Sequence, residues 1–223
     1  MRILAIETST SQAGVALLQG GALIATRTHA RPKQSAERLL PLIAELLDEA
    51  GWDRSSLDRI GVSIGPGSFT GLRVGIACAQ GLALGLSIPL VGVTSLQAMA
   101  RAVPSTLAGL RCPVLDARRK EVFAAAYESG PGTAERLAPF ALPAGQLQAS
   151  LTSQLAAPIV WIGSGLALAG LAPSFSSPES DEPSAHAVGL LAGELDPAAH
   201  EPVAVYVRDA GATLPTSARP PQS

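Results

Sequence analysis

The stretch SIGPGSFTGLRVGIACAQGLALG, Ser63 to Gly85, constrains this chain more than any other. It holds six glycines and follows a strand-like segment. Such a run is either a phosphate loop or a tight turn that opens a helix. A Walker loop needs Gly-Lys-Ser/Thr after four intervening residues, and GPGSFTGLR has no lysine. The dinucleotide fingerprint G-x-G-x-x-G fails as well, because Gly71 arrives one residue late. What remains is a tight turn in which Gly65 and Gly67 free the backbone.

The helix predicted after that turn is unusual. Leu72, Val74, Ile76, Leu82, Leu84 and Leu86 surround its axis instead of forming one stripe. Gly75 with Ala79, and Gly81 with Gly85, are small pairs four apart that let another helix approach closely. The preceding helix, bounded by Ser35 as a candidate N-cap and Gly51 as a stop, is also rich in apolar residues: Leu39, Leu40, Leu42, Ile43, Leu46 and Leu47. Pro41 inside it is expected to kink it or shift its start. A sheet covers one face of each helix. The surplus is expected to meet a second lobe or another chain.

The rest of the chain reads as a sequence of strands and helices. Strands are predicted at Ile3 to Ile6, Gly14 to Leu18 and Ala22 to Thr28, the last two joined by a Gly20-Gly21 turn. Further strands follow at Arg59 to Ile64 and Leu90 to Val93, and Thr94 caps a helix to about Val103. CPVLDARRKEVFAAAYE then repeats the pattern of RILAIETSTSQAGVALL: strand, acid, polar turn, strand. Asp116 holds the place of Glu7. After it come a weak helix near Gly145 to Leu155, a strand at Ile159 to Ile162, a Gly163-Ser164-Gly165 turn and a helix from Ser184 to Leu195. The repeat implies two related lobes, 1–105 and 106–208, with 209–223 as a tail.

With 223 residues, 47% of them hydrophobic and 15% charged, the chain has material for one large domain or two lobes sharing a core. A net charge of -2 gives no route to a strong grip on RNA, and 4% aromatics leave few stacking platforms. Cys78 and Cys112 read as buried free thiols in a reducing cytoplasm. MRILAIETST lacks the apolar core of a secretory leader, and Arg73 and Gln80 interrupt the longest apolar run, so neither export nor a membrane span is expected.

Candidate chemistry is sparse. His29, His186 and His200 are far apart in sequence and no pair has metal-ligand spacing. Ser68 lies in no G-x-S-x-G elbow and has no evident base. The acid pair has two readings. If the duplicated turns face each other across a cleft, Glu7, Thr8, Ser9, Thr10 and Asp116 form a phosphate site with carboxylates near Mg²⁺. Otherwise the hydroxyls satisfy the amides of their own hairpin turns. Both remain open at this level.

Five segments, ILAIETSTSQAGVALL, SAERLLPLIAELL, GPGSFTGLRVGIACAQGLA, GVTSLQAMA and DARRKEVFAAAYE, together resemble the TsaB family. The resemblance is close from Met1 to about Glu128, and the first turn departs from the family's Asp-Thr-Ser-Thr by starting with Glu7. It implies an α/β fold of two RNase-H-like lobes, of the actin/sugar-kinase/Hsp70 ATPase type. It also implies a non-catalytic role in threonylcarbamoyladenosine modification of tRNA, beside a TsaD-like catalytic subunit and a TsaE-like ATPase. The partner interface then falls on Leu39, Leu40, Ile43, Leu46, Leu47, Leu72, Val74, Gly75, Ala79 and Leu82. Glu7, Thr8, Ser9, Thr10 and Asp116 become a vestigial nucleotide site with no resident cofactor or metal, able at most to hold ATP or ADP with Mg²⁺ weakly in the complex. A homodimer is expected when the chain is alone, and tRNA contact only through the partners. The competing expectations are a small-molecule kinase or ATPase of the same fold, and a peptidase.

Overall fold

The computed structural model describes residues 1–29 and 35–207, without the side chains of 35–37. The tail expected at 209–223 lies outside the described residues. Three strands open the chain: β1 (Arg2–Glu7), β2 (Ala13–Gln19) and β3 (Ala22–His29). Gly20 and Gly21 turn β2 into β3 with φ of 58° and 87°, a conformation that favours glycine. Helix α1 (Ser35–Glu49) follows, then β4 (Arg59–Gly65), α2 (Phe69–Leu86), β5 (Leu90–Thr94) and α3 (Ser95–Arg101). Ser68 and Thr94 cap α2 and α3 through their side chains. Ser35 is the first residue of α1. Pro41 does not break that helix: its ring is on the exposed side.

The first sheet has the order β3-β2-β1-β4-β5, with β1 antiparallel to β2 and parallel to β4. The second sheet is built from β6 (Leu110–Arg118), β7 (Glu121–Tyr127), β8 (Glu135–Pro143) and β9 (Ile159–Ile162), in the order β8-β7-β6-β9. Here too the hairpin strand β6 is antiparallel to β7 and parallel to β9. The two sheets therefore repeat one topology, and the fold is the two-lobed RNase-H-like arrangement of the actin/sugar-kinase/Hsp70 ATPase type. Strand β8 escapes the sequence pattern because Pro139 and Pro143 interrupt it. Proline is tolerated there because β8 is an edge strand.

Three short helices complete the chain: α4 (Leu147–Gln154), α5 (Pro178–Asp181) and α6 (Ala185–Glu194). Residues 164–169 form a 3₁₀ turn where a simple turn is expected. Helix α6 corrects the expected division at 106–208. Its Ala187, Val188, Leu191 and Ala192 pack with Ile3, Ala5, Ala16 and Leu18, so it covers the first sheet and not the second. Gly61 and Gly189 admit that approach: a methyl group at Gly61 would meet Ala192 at 2.6 Å, and one at Gly189 would collide with Leu18. The opposite face of the same sheet is covered by α1 and α2, through Leu39, Ile43, Leu46, Leu72, Ile76 and Ala79.

Candidate functional site

The glycine stretch fits α2 against the first hairpin turn. Ser68 N donates to the Ser9 carbonyl at 2.6 Å. Methyl groups placed on Gly67, Gly71 and Gly75 would collide with the Ser9 carbonyl, the Thr8 carbonyl and the Thr8 hydroxyl. Gly71 and Gly75 are therefore one helical edge kept bare, and Gly67 continues it into the turn before Ser68, so that a strand-end turn can lie against them. This differs from the expectation that Gly75 and Ala79 receive another chain.

Glu7, Thr8 and Ser9 are shut in, with 2%, 2% and 1% of their surfaces exposed. Glu7 Oε1 accepts from Ser9 N at 2.5 Å, while Glu7 Oε2, Thr8 Oγ1 and Ser9 Oγ have no hydrogen-bond partner among the described residues. Burial pushes the Glu7 carboxyl up to about 7, against the pull of the Ser9 amide and the nearby hydroxyls, and the charge of Glu182 adds to the rise. Thr10 is half-buried. Asp116 is spent in its own turn: it accepts from Arg118 N at 2.7 Å and pairs with the Arg118 guanidinium at 3.6 Å. Among the described residues no hydrogen bond or ion pair joins Asp116 to Glu7. The five residues expected to form one phosphate site are thus three covered residues, one at the rim and one exposed acid on the other lobe.

A contact in the same region ties the chain's later segments together. Ser164 Oγ donates to Glu182 Oε1 at 2.6 Å. Glu182 immediately follows α5, and its charge reaches Glu7. The histidines are spread out: His186 Nδ1 lies 2.9 Å from Glu179, and His200 Nδ1 lies 3.0 Å from the Asp196 carbonyl. Among the described residues, no three His, Cys, Asp or Glu side chains are grouped to hold a metal. Cys78 and Cys112 are free thiols, pushed up by burial to about 11 and about 12.

The ten expected interface residues divide sharply. Leu39, Ile43, Leu46, Leu47, Leu72, Gly75 and Ala79 are buried in the chain's own core. Val74 and Leu82 are partly buried against it, and Leu40 alone is well exposed, at 54%. The seven buried residues are corrected from interface to core, because they form the helix faces that lie on the sheet. The outward apolar residues are instead Leu40, Leu84 and Phe69, with Leu84 83% exposed. Leu84 and Phe69 carried no local signal separating them from core leucines. Helix α2 has the length and mean hydropathy, 18 residues and 1.4, of a membrane-crossing segment, yet only 28% of it is buried. Its packed face lies on β4, and its open face mixes Phe69, Ala77 and Leu84 with Thr70, Arg73 and Gln80.

Comparison with known proteins places this geometry. The family model of TsaD, tRNA N6-adenosine threonylcarbamoyltransferase, matches residues 23–145. The chain is 39% identical over 129 residues to the tRNA threonylcarbamoyladenosine biosynthesis protein TsaB of Escherichia coli, a match covering 57% of this chain and 55% of that protein. It is 37% identical over 139 residues to the TsaB of Bacillus subtilis, covering 62% and 60%. The matched segments thus span little more than half the length of these curated relatives. The solved structure of YeaZ from Pseudomonas aeruginosa superposes with a TM-score of 0.73 at 30% identity, covering 92% of this chain and 99% of that one. The ethanolamine utilization protein EutJ of Carboxydothermus hydrogenoformans, at 13% identity and a TM-score of 0.54, shares the fold alone. With the transferase model spanning more than half of its residues and YeaZ matched over nearly its whole length, the chain belongs to the TsaD-like family and, within it, to the TsaB/YeaZ branch.

Proposed function

We propose that this chain is a non-catalytic subunit in the formation of threonylcarbamoyladenosine on tRNA. In this reading it docks a TsaD-like catalytic subunit through the outward face of α1 and α2. A TsaE-like ATPase works with the pair, and tRNA is met only through the complex. The observation that carries the reading is α2 itself, an 18-residue apolar helix of which 28% is buried. On the outward side of α1 and α2, Leu40, Phe69 and Leu84 leave apolar area in water that another protein would cover. The same face would pair two copies when the chain is alone, so homodimer and heterodimer compete.

A non-catalytic role is supported by the hairpin turn. The turn that would cradle a phosphate is filled at Thr8 and Ser9 by the chain's own α2, and Glu7 is buried beside Ser63 and Glu182. No resident cofactor is proposed for the isolated chain. ATP or ADP with Mg²⁺ is confined to the complex, and the setting is cytoplasmic.

The test is reconstitution with the catalytic subunit, the ATPase, threonylcarbamoyl-adenylate and unmodified tRNA. Omitting this chain is expected to abolish multiple turnover. The double change Leu40→Arg with Leu84→Arg is expected to do the same, whereas Glu7→Gln retains activity. ATP turnover or phosphoryl transfer by the chain alone would overturn the reading in favour of a kinase of this fold.

A further inference from the structure

Residues 200–206 have no regular structure, yet they are tied to the sheet. Gly92 N donates to the His200 carbonyl at 2.8 Å, and Val205 N donates to the Ile64 carbonyl at 2.7 Å. Ala204 and Val205 pack on the same core cluster as α1 and α2. Gly92 lies against the Glu201 carbonyl and Gly65 against that of Val205, which lets the segment cross β5 and β4 closely. On this face of the first sheet, α1 covers β2 and β3, α2 covers β4, and the segment covers the remaining flank.

A three-membered clasp joins the segment to α2. The rings of Phe69 and Tyr206 lie 5.2 Å apart, and the Arg73 guanidinium sits 3.8 Å from the centre of the Phe69 ring. Arg73 Nε also donates to the Tyr206 hydroxyl at 3.4 Å. Arg73 is the one charged residue of α2. The clasp leaves much of both rings open: Phe69 is 38% exposed and Tyr206 47%, while Val203, three positions before Tyr206 in the segment, is 63% exposed.

We infer that the segment 200–206 is the third element of the docking layer, so that Phe69, Tyr206 and Val203 contact the transferase-type subunit along with Leu40 and Leu84. The inference rests on the docking reading above. The occupant follows from the family match. The transferase model covers residues 23–145, which include α1 and α2, so a transferase subunit carries its own copy of this helix pair. Two like apolar faces close about a local two-fold axis, each pair on the other. The segment flanks α2 on the side away from α1 and meets the rim of the partner's pair. Half-exposed tyrosine and arginine, already ordered by each other, are the residue types that anchor such interfaces at low entropic cost. Arg73 acts as a positioning residue: its stacking on Phe69 and its bond to Tyr206 hold the segment at the height of the helix.

The experiment measures binding of the full chain to the TsaD-like subunit of the same organism by titration calorimetry. Thermal melts of each variant confirm the fold. Tyr206→Ser and Val203→Glu are each expected to weaken binding by about tenfold or more. Leu40→Arg and Leu84→Arg serve as the control for the docking reading itself. Loss of binding in those two, with Tyr206→Ser and Val203→Glu within about twofold of the unchanged chain, overturns the inference and leaves the reading standing. Unaltered binding in all four overturns both. Val203→Glu keeps the test decisive if Tyr206→Ser disturbs the fold, because most of Val203 already faces solvent.

Discussion

The Cα of Gly75 rests against the hydroxyl of Thr8, with no room for a methyl group between them. This contact joins the middle of α2 to the end of β1, across 67 positions of sequence. Gly75→Ala forces a buried turn to move, and overpacking of this kind costs about 1–3 kcal/mol. Thr8→Ala in the same chain removes the obstructing atoms, so the double variant is expected to regain most of the loss. Denaturant midpoints of the two single changes and the pair measure the coupling.

Gly81 provides the contrast. It lies in the same helix with nothing within 4 Å of the position a Cβ would take. Glycine in an exposed helix interior costs up to about 1 kcal/mol relative to alanine. Gly81→Ala is therefore expected to raise the melting temperature of the isolated chain. An unchanged or lower melting temperature would mean that α2 is not a regular exposed helix at that point.

These two glycines also show what was legible in the sequence. The spacing around Gly67, Gly71 and Gly75 announces a close approach, and it excludes the common nucleotide loops. It cannot name the approaching group, because Thr8 and Ser9 are distant in sequence and become neighbours only when β1 and β4 pair in parallel. The strands of both lobes are legible from alternation and turn residues, and the duplicated hairpin gives the lobes. Strand β8 is hidden by its prolines. Helix α6 has a clear signal but no address, since nothing local says that it returns to the first sheet. The apolar surplus of α1 and α2 is countable in advance. Its division between sheet and surface depends on helix rotation, which places Leu39 inside and Leu40 outside.

Glu7 makes stability depend on pH in the direction opposite to most carboxylates. Its carboxyl is held at about 7 in the folded chain, against an ordinary value of 4.5, chiefly by burial. Between those values the native state binds more protons than the unfolded chain, so stability falls as pH rises. The favourable contribution is fully present below about 4.5 and is lost by the time pH passes about 7, an effect on the order of 3 kcal/mol. Glu7→Gln keeps the shape without the charge. The variant is expected to gain on the parent chain progressively from pH 5 to pH 8, as read by denaturant midpoints. Glu182→Gln removes a neighbouring negative charge and is expected to lessen the dependence. A parent chain that gains stability relative to Glu7→Gln over that interval would show that the carboxylate has a cationic partner in the fold.

Adjacent leucines in α1 separate core from docking face. Leu39 is 1% exposed and packs with Leu17, Leu46 and Leu72 in the core cluster beneath the helices, whereas Leu40 is 54% exposed. Leu39→Ala leaves a cavity in that cluster, and buried leucine truncations cost about 2–5 kcal/mol. Leu40→Ala is expected within about 0.5 kcal/mol of the parent chain, as surface changes usually are. The order reverses for association. Leu40→Ala removes apolar area that only a second protein can cover, so it weakens the complex without touching the monomer. Leu39→Ala lowers the amount of folded chain, and any binding loss follows that fraction. Chemical denaturation and calorimetric titration on the same two variants separate the effects, and a Leu40→Ala chain that melts early would move this residue back into the core.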